Sequence, residues 1–311
     1  MSSTEENREG SGEGRGLLAR LREAGVIPRK GLGQHFLHDP GILSSLAEAA
    51  GVEGHSTVLE VGTGPASLTR ELASRAERVL TVEIDGAMAA FAAAELEIFD
   101  NVEILQTDAL DGKKNLQPLL YEKLSGLGDF LWVSNLPYGI STTLIIAMLE
   151  SGVSWQKAVL TVQNEVAERI CAAPVVQGQG RRDRSRAQSS IGYGPASLLV
   201  GYWARSEYLK KIAPGSFWPP PKVDSAVIRL EPRYEVVTVE LKRDYISFAE
   251  WVRILFQRRR KQLGGSLRRI LGQDKADKAL TLSKLDGTLR PENLSLEDFR
   301  LLARVFPFNN G

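Results

Sequence analysis

Cysteine is almost absent: Cys171 is the only one, which excludes an internal disulfide, argues against a Cys-based metal site and fits a reducing compartment. Histidine is scarce too. His35, His38 and His55 show neither HExxH-type spacing nor a Ser/His/Asp arrangement, so no zinc hydrolase or triad enzyme is indicated. Apolar runs are short, LIIAML being typical, against the roughly 18 residues that a membrane span needs. Residues 1–15, MSSTEENREGSGEGR, are polar, Gly-rich and acid-bearing, which fits neither a signal peptide nor an Arg-rich transit peptide and predicts a disordered tail. Net charge is nearly nil, with 39 Lys and Arg against 38 Asp and Glu. These absences predict a cytoplasmic protein with no metal and no membrane attachment, and a monomer is expected.

What charge there is, however, is segregated. From Trp251 to Gln273 seven basic residues occur (Arg253, Arg258, Arg259, Arg260, Lys261, Arg268, Arg269) and no acidic one. A second cluster, GRRDRSR, holds Arg181, Arg182, Arg184 and Arg186. Local stripes of this kind can track a phosphate backbone even in a nearly neutral chain, although charge alone fits a solvated face equally well.

Strand and helix patterns alternate through the first two thirds. STVLEVG (56–62), RVLTVEI (78–84), VEILQ, DFLWVS and KAVLTVQ read as buried strands. PASLTRELASRA (65–76), GAMAAFAAAELEIF (86–99) and the stretches 115–124 and 142–151 read as helices. Ahead of them LLARLREAG and GILSSLAEAAG are helical around the Gly-rich loop PRKGLGQHFLHDP. Such alternation predicts an α/β fold with a mainly parallel, Rossmann-like sheet covered on both faces. After a last strand, Val223 to Leu230, helical patterns rich in Leu, Arg, Lys and Glu take over, with DYISFAEWVRILFQRRRKQL reading as one helix. The expected organisation is a tail with a short helix (1–29), a Rossmann-like domain (30–233) and a small helical domain (234–311).

Ligands of such sheets bind beyond the carboxyl ends of the strands, near the point where strand order reverses. The first strand runs into Gly62 and Gly64; the second ends at Glu83 and Asp85; the third leads to Asp108; the fourth ends at Asn135. EVGTGPAS resembles a dinucleotide fingerprint, but Ser67 stands where GxGxxG has its third glycine, which weakens a pyrophosphate reading. Glu83, 19 residues after Gly64, is placed to accept ribose hydroxyls, and Asp108 an adenine amino group. An adenosine cofactor without phosphates is the simplest inference, and S-adenosylmethionine is the common one.

Beside a sulfonium methyl donor, NLPYGIST (135–142) suits an exocyclic amine as acceptor. The lone pair of such an amine is delocalised into its ring, so acceptors on its N–H groups would turn that lone pair towards the methyl. The Asn135 side-chain oxygen can supply one acceptor and the Leu136 carbonyl another, its direction set by Pro137. Tyr138 offers a ring for stacking; Phe217, with Trp218 nearby on the Pro-stiffened GSFWPPPKVDSA, offers a second. Catalysis would be alignment and preorganised polarity, with no strong base. A base within a helix cannot reach such a pocket, whereas RNA loops present unstacked bases.

In order along the chain, GQHFL, EVGTG, EID, DAL, NLPYGIST, FWPPPKVDSAV and FQRRRKQL resemble the KsgA/Dim family of ribosomal RNA adenine dimethyltransferases over about residues 30–305. The pairing of NLPY with PPPKVDSAV is the specific part. The resemblance implies N6,N6-dimethylation of two adjacent adenosines near the 3′ end of small-subunit rRNA, within a ribosomal assembly intermediate. It implies that His35, Leu37, Gly62, Gly64, Glu83, Asp108 and Asn135 bind S-adenosylmethionine, and that Asn135, Leu136, Pro137, Tyr138 and Phe217 hold the target adenine. RNA contacts would come from Lys222, Arg258, Arg259, Arg260 and Lys261. The chain departs from the family pattern at His35, where Asn is frequent, at Gly139, where Asn is usual, and in the longer Arg-rich segment near 176–190. A large-subunit rRNA adenine methyltransferase, a non-catalytic assembly factor and, more distantly, an NAD-linked oxidoreductase are the alternatives.

Overall fold

Five runs of Val, Leu and Ile too short for helices lie side by side as parallel strands in the computed structural model, which describes residues 12–112, 114–174, 192–234 and 236–308. They are β1 (Thr57–Val61), β2 (Arg78–Glu83), β3 (Val102–Gln106), β4 (Leu131–Asn135) and β5 (Lys157–Gln163). With β6 (Ala204–Ile212) and β7 (Ser225–Pro232) they form one sheet of order β3-β2-β1-β4-β5-β7-β6. β7 is antiparallel to β5, its Ala226 opposite Val162. Strands β1, β2, β4 and β5 are buried along most of their length, as a parallel sheet covered on both faces requires. The order reverses between β1 and β4, so the crevice beyond their C-terminal ends is the switch point.

Covering helices start where local chemistry allows. α1 spans Gly12–Glu23. α2 (Pro40–Ala50) is opened by Asp39, whose carboxylate accepts from Ile42 N at 3.1 Å, and closed by left-handed Gly51. α3 (Ser67–Ala73) starts two residues after Pro65, because Ala66 is held at φ 65°. α4 (Gly86–Glu95) is capped by Asp85. α5 (Pro118–Ser125) is shorter than predicted, since Asn115–Leu116 pair with Leu110–Asp111 in a small ladder. α6 (Ser141–Ser151) follows β4. Leu43 and Leu46 of α2 and Leu68 and Leu72 of α3 pack on Val58, Val79 and Val133 of the sheet to make the main core.

The remaining helices are α7 (Asn164–Ile170), α8 (Pro195–Trp203), α9 (Val239–Phe256), α10 (Leu263–Leu271), α11 (Gln273–Ser283) and α12 (Leu296–Val305). α9 stops at Phe256, so the predicted single helix through Leu263 is corrected: Arg258, Arg259, Arg260 and Lys261 sit on a turn. Short-range bonds close it, Arg258 N to Leu255 O at 2.9 Å and Lys261 N to Arg258 O at 2.8 Å. The cause is tertiary, because the next residues are tied elsewhere: Leu263 N donates to Leu289 O at 2.7 Å and Gly264 N to Gly287 O at 2.8 Å.

The chain divides into two compact units, Met1–Asn164 with Leu209–Glu231, and Glu165–Tyr208 with Pro232–Gly311. The second unit thus takes α7 and α8 as well as the C-terminal helices, and its core is aromatic, with Tyr202 packed against Trp203, Tyr245 and Phe248. The predicted Arg-rich loop near 176–190 and most of the predicted tail lie outside the described residues. No described helix is long and apolar enough to cross a membrane.

Candidate active site

β1 runs directly into Gly62-Thr63-Gly64. Gly62 (φ 91°) and Gly64 (φ 53°) are left-handed, and both are also hemmed in. A Cβ on Gly62 would lie 3.3 Å from Pro137 Cδ, and one on Gly64 3.1 Å from the Phe36 ring. The glycine turn therefore lets the GQHFL and NLPY segments close on the end of the strand.

Glu83, at the tip of β2, holds that turn. One carboxylate oxygen accepts from Gly64 N and the other from Asp85 N, each at 2.9 Å. Burial raises the Glu83 pKa, and these two backbone donors oppose the rise. Deeper in the sheet, Glu60 accepts from the hydroxyls of Thr69 (2.6 Å) and Thr81 (3.0 Å), and Thr81 in turn meets Thr63 at 2.7 Å. Burial, with a smaller push from Glu83, lifts Glu60 to about 8. Glu60 is thus mostly neutral at pH 7, which spares Glu83 a second negative charge nearby. The Asp85 carboxylate is engaged elsewhere, capping α4 and pairing with Arg29 at 3.1 Å.

The NLPY corner is fixed by its neighbours. Asn135 Nδ2 donates to the His35 carbonyl at 2.9 Å, while its Oδ1 is buried with no hydrogen-bond partner. Leu136 N donates to Thr161 O at 3.1 Å. The His35 ring stacks on Tyr138, centroids 5.3 Å apart, and its Nδ1 lies 2.7 Å from the Pro219 carbonyl, so Nδ1 carries the proton. Tyr138 reaches the Ser225 hydroxyl, and burial raises its pKa, keeping it a neutral phenol. Open space surrounds the Cβ position of Gly139, so the residue type there leaves the placement of Tyr138 free of any clash.

These groups converge on a cleft of about 340 Å³. Of the residues predicted for the site, His35, Gly62, Gly64, Glu83, Asp108, Asn135, Leu136, Pro137 and Tyr138 line it. Leu37 and Phe217 do not. They are 3% and 2% exposed and belong to the main core. Phe36–Leu37 and Phe217–Trp218 form a two-residue antiparallel ladder in which Leu37 opposes Phe217 and Phe36 opposes Trp218. Alternation sends the first pair into the core and the second into a cluster with Leu21, Met88 and Phe91. Phe36, which lines the cleft, was missed although it lies within GQHFL, and Ile84 was missed as the neighbour of a strand-end acid. Of the predicted RNA contacts, Lys222, Arg259, Arg260 and Lys261 are exposed and Arg258 half-buried. Among the described residues, none of Arg258 to Lys261 has a carboxylate within 4.0 Å, and no group of three His, Cys, Asp or Glu side chains could hold a metal.

The donors and acceptors fit an adenosine cofactor: a glycine turn without the third glycine, a buried carboxylate at the next strand end, Asp108 beyond it, and an unsatisfied amide oxygen opposite. Sheet order and cleft together define a Rossmann-like fold of the S-adenosylmethionine-dependent methyltransferase class. Within that class the chain belongs to the ribosomal RNA adenine dimethylase family, whose model matches residues 27–306. A ribosomal RNA small subunit methyltransferase A from Caldanaerobacter subterraneus subsp. tengcongensis is 38% identical over 279 residues, 89% of this chain and 96% of that one. Its namesake from Leuconostoc mesenteroides is 33% identical over 289 residues, 91% and 92% of the two chains. A crystal structure of a dimethyladenosine transferase from Plasmodium falciparum superposes with a TM-score of 0.66 at 26% identity, covering 88% of this chain and 97% of that one. The 23S rRNA methyltransferase ErmE gives 0.61 at 26% identity, covering 86% and 98%.

Proposed function

We propose that the protein transfers methyl groups from S-adenosylmethionine to N6 of two adjacent adenosines near the 3′ end of small-subunit rRNA, within an assembly intermediate, giving N6,N6-dimethyladenosine. The observation that carries this reading is the Asn135 side chain: its nitrogen is tied to the His35 carbonyl, and its oxygen is left buried without a donor. A buried acceptor without a partner costs about 1–3 kcal/mol, and an incoming N–H donor would repay it.

S-adenosylmethionine, when bound, supplies an activated methyl group. His35, Gly62, Gly64, Glu83 and Asp108 would hold it, with Glu83 accepting ribose hydroxyls in addition to its two backbone donors. Asn135 Oδ1 would accept one N–H of the target amine and the Leu136 carbonyl the other, which orients the nitrogen lone pair. Because Nδ2 is already engaged, the amide cannot rotate to present the wrong atom without losing the His35 bond. Tyr138 has one ring face against His35 and would offer the opposite face to the adenine. Its raised pKa makes it a stacking surface and not a base. The proton leaves the alkylated, acidic amine to solvent, so no side chain need be basic.

A large-subunit adenosine is the second reading, favoured by the likeness to ErmE; the names of the curated relatives favour the first. Incubation with labelled S-adenosylmethionine and unmethylated small subunits, followed by nucleoside analysis, tests the proposal. Label in N6,N6-dimethyladenosine near the 3′ end of the small-subunit rRNA is the expected result; label found only when large-subunit RNA is supplied would overturn it.

A further inference from the structure

A second cavity, of about 500 Å³, lies wholly within the second compact unit, and its chemistry is unused by the reaction above. Its polar lining is Tyr202, Tyr234, Arg243, Asp244, Arg300 and Arg304, with Ser247 beneath. Arg300 is paired with Glu297, so the unpaired charge of the lining is that of Arg243 and Arg304 against Asp244, and the rim is positive. Arg300 is its fixed element: Nη2 donates to the Tyr202 carbonyl at 2.9 Å and to the Tyr234 hydroxyl at 2.7 Å, Nη1 to Glu297 at 2.9 Å, and the guanidinium lies 4.7 Å from the Tyr202 ring centroid. Its Nε is buried and has no acceptor. The Arg300 side chain is only 15% exposed, so water does not readily relieve that deficit. Arg243 and Arg304 are exposed at the rim, and among the described residues neither has a carboxylate within 4.0 Å.

We propose that this cavity binds a nucleotide. Its phosphate would be taken by the exposed Arg243 and Arg304, and its ribose hydroxyl or base amino group by Asp244. The preference for phosphate over a carboxylate ligand follows from the two rim guanidiniums, whose paired N–H donors match the three oxygens of a phosphate better than the two of a carboxylate. The preference for a nucleotide over inorganic phosphate follows from Asp244, which would repel a bare anion and needs a donor to accept from. The volume exceeds that of the methyl-transfer cleft, so a nucleoside with its phosphate has room. The nucleotide could be free or part of an RNA chain; only the second source rests on the rRNA reading above.

The test uses the full chain and the double variant Arg243→Gln/Arg304→Gln, which changes two exposed rim residues and leaves Arg300 in its packing. Binding of adenosine 5′-monophosphate and of an unstructured oligoribonucleotide is measured against salt, with S-adenosylmethionine affinity as the control for folding. Removing two charge-assisted bonds to one phosphate predicts about 100-fold weaker binding of the oligoribonucleotide, and a salt slope shallower by about 0.7 for single-stranded RNA. A parallel loss for the mononucleotide assigns the cavity to a single nucleotide from any source; loss for the oligomer alone assigns it to RNA. Unchanged binding of both ligands would overturn the proposal. Nucleoside analysis of the wild-type product is a separate readout, so failure here and failure of the rRNA reading are distinguishable.

Discussion

Replacing Asn135 with alanine separates the catalytic reading from a structural one. The truncation deletes the Nδ2 bond to His35 and leaves that carbonyl without its donor, a cost of about 1–3 kcal/mol. It also deletes Oδ1, a buried acceptor with no partner, and removing that penalty gains a similar amount. The two terms oppose, so folding stability should change by less than about 1 kcal/mol and Tm by no more than about 2–4 °C. Methyl transfer behaves differently, since one preorganised acceptor on the reacting amine is lost; the single-turnover rate should fall about 10²–10³-fold. The assay combines thermal unfolding, calorimetric titration with S-adenosylmethionine and single-turnover methylation of unmethylated small subunits. A rate within tenfold of wild type, or a stability loss of about 3 kcal/mol or more, would show Asn135 to be a packing residue and refute the reasoning.

Glu83→Ala should weaken S-adenosylmethionine binding at least about tenfold more than Asn135→Ala does, because it frees the Gly64 and Asp85 amides as well as removing an ionised acceptor; equal losses by calorimetry would contradict the division of roles. Neutralising Arg258, Arg259 and Arg260 to Gln should weaken rRNA binding and flatten its salt dependence, by a slope of about 0.7–0.9 for each phosphate no longer neutralised; an unchanged slope would make the turn merely solvated. Glu60 carries a pH signature. With its pKa raised from 4.5 to about 8 on folding, the native state keeps a proton that the unfolded chain loses, so this contribution is complete below pH 4.5 and declines as pH rises through 8. Its upper bound is on the order of 5 kcal/mol. In Glu60→Gln the fall in Tm between pH 5 and 8.5 should be smaller than in wild type, and identical profiles would show that Glu60 titrates normally.

Much of the cleft was legible in the sequence because its signals are local. A glycine pair after a strand, acids at the next strand ends and an amide before Leu-Pro-Tyr each depend on a few neighbours, and all of them line the same space. That Leu37 and Phe217 point into the core could not be read from the sequence, because it depends on a ladder joining segments 180 residues apart, and a shift of one residue in that register would exchange the pair in the main core with the pair packed on Leu21, Met88 and Phe91. The turn after Phe256 was hidden for a similar reason. Helical spacing runs on through Leu263, and only the pairing of Leu263 and Gly264 with Leu289 and Gly287 stops it. β6 escaped notice because ARSEYLKKI is an edge strand whose exposed charged residues blur the alternation. The unsatisfied Asn135 oxygen has no sequence signal at all; it follows from the choice of His35 O as partner for the amide nitrogen.

The central claim is that Asn135 Oδ1 receives the target amine beside the methyl donor. A crystal structure with S-adenosylhomocysteine and an adenosine-containing RNA fragment tests it most directly. Adenine N6 within about 3 Å of Asn135 Oδ1, with the base lying on Tyr138, is the result the account predicts. An Oδ1 bonded to a protein donor, with the base seated elsewhere, would contradict it.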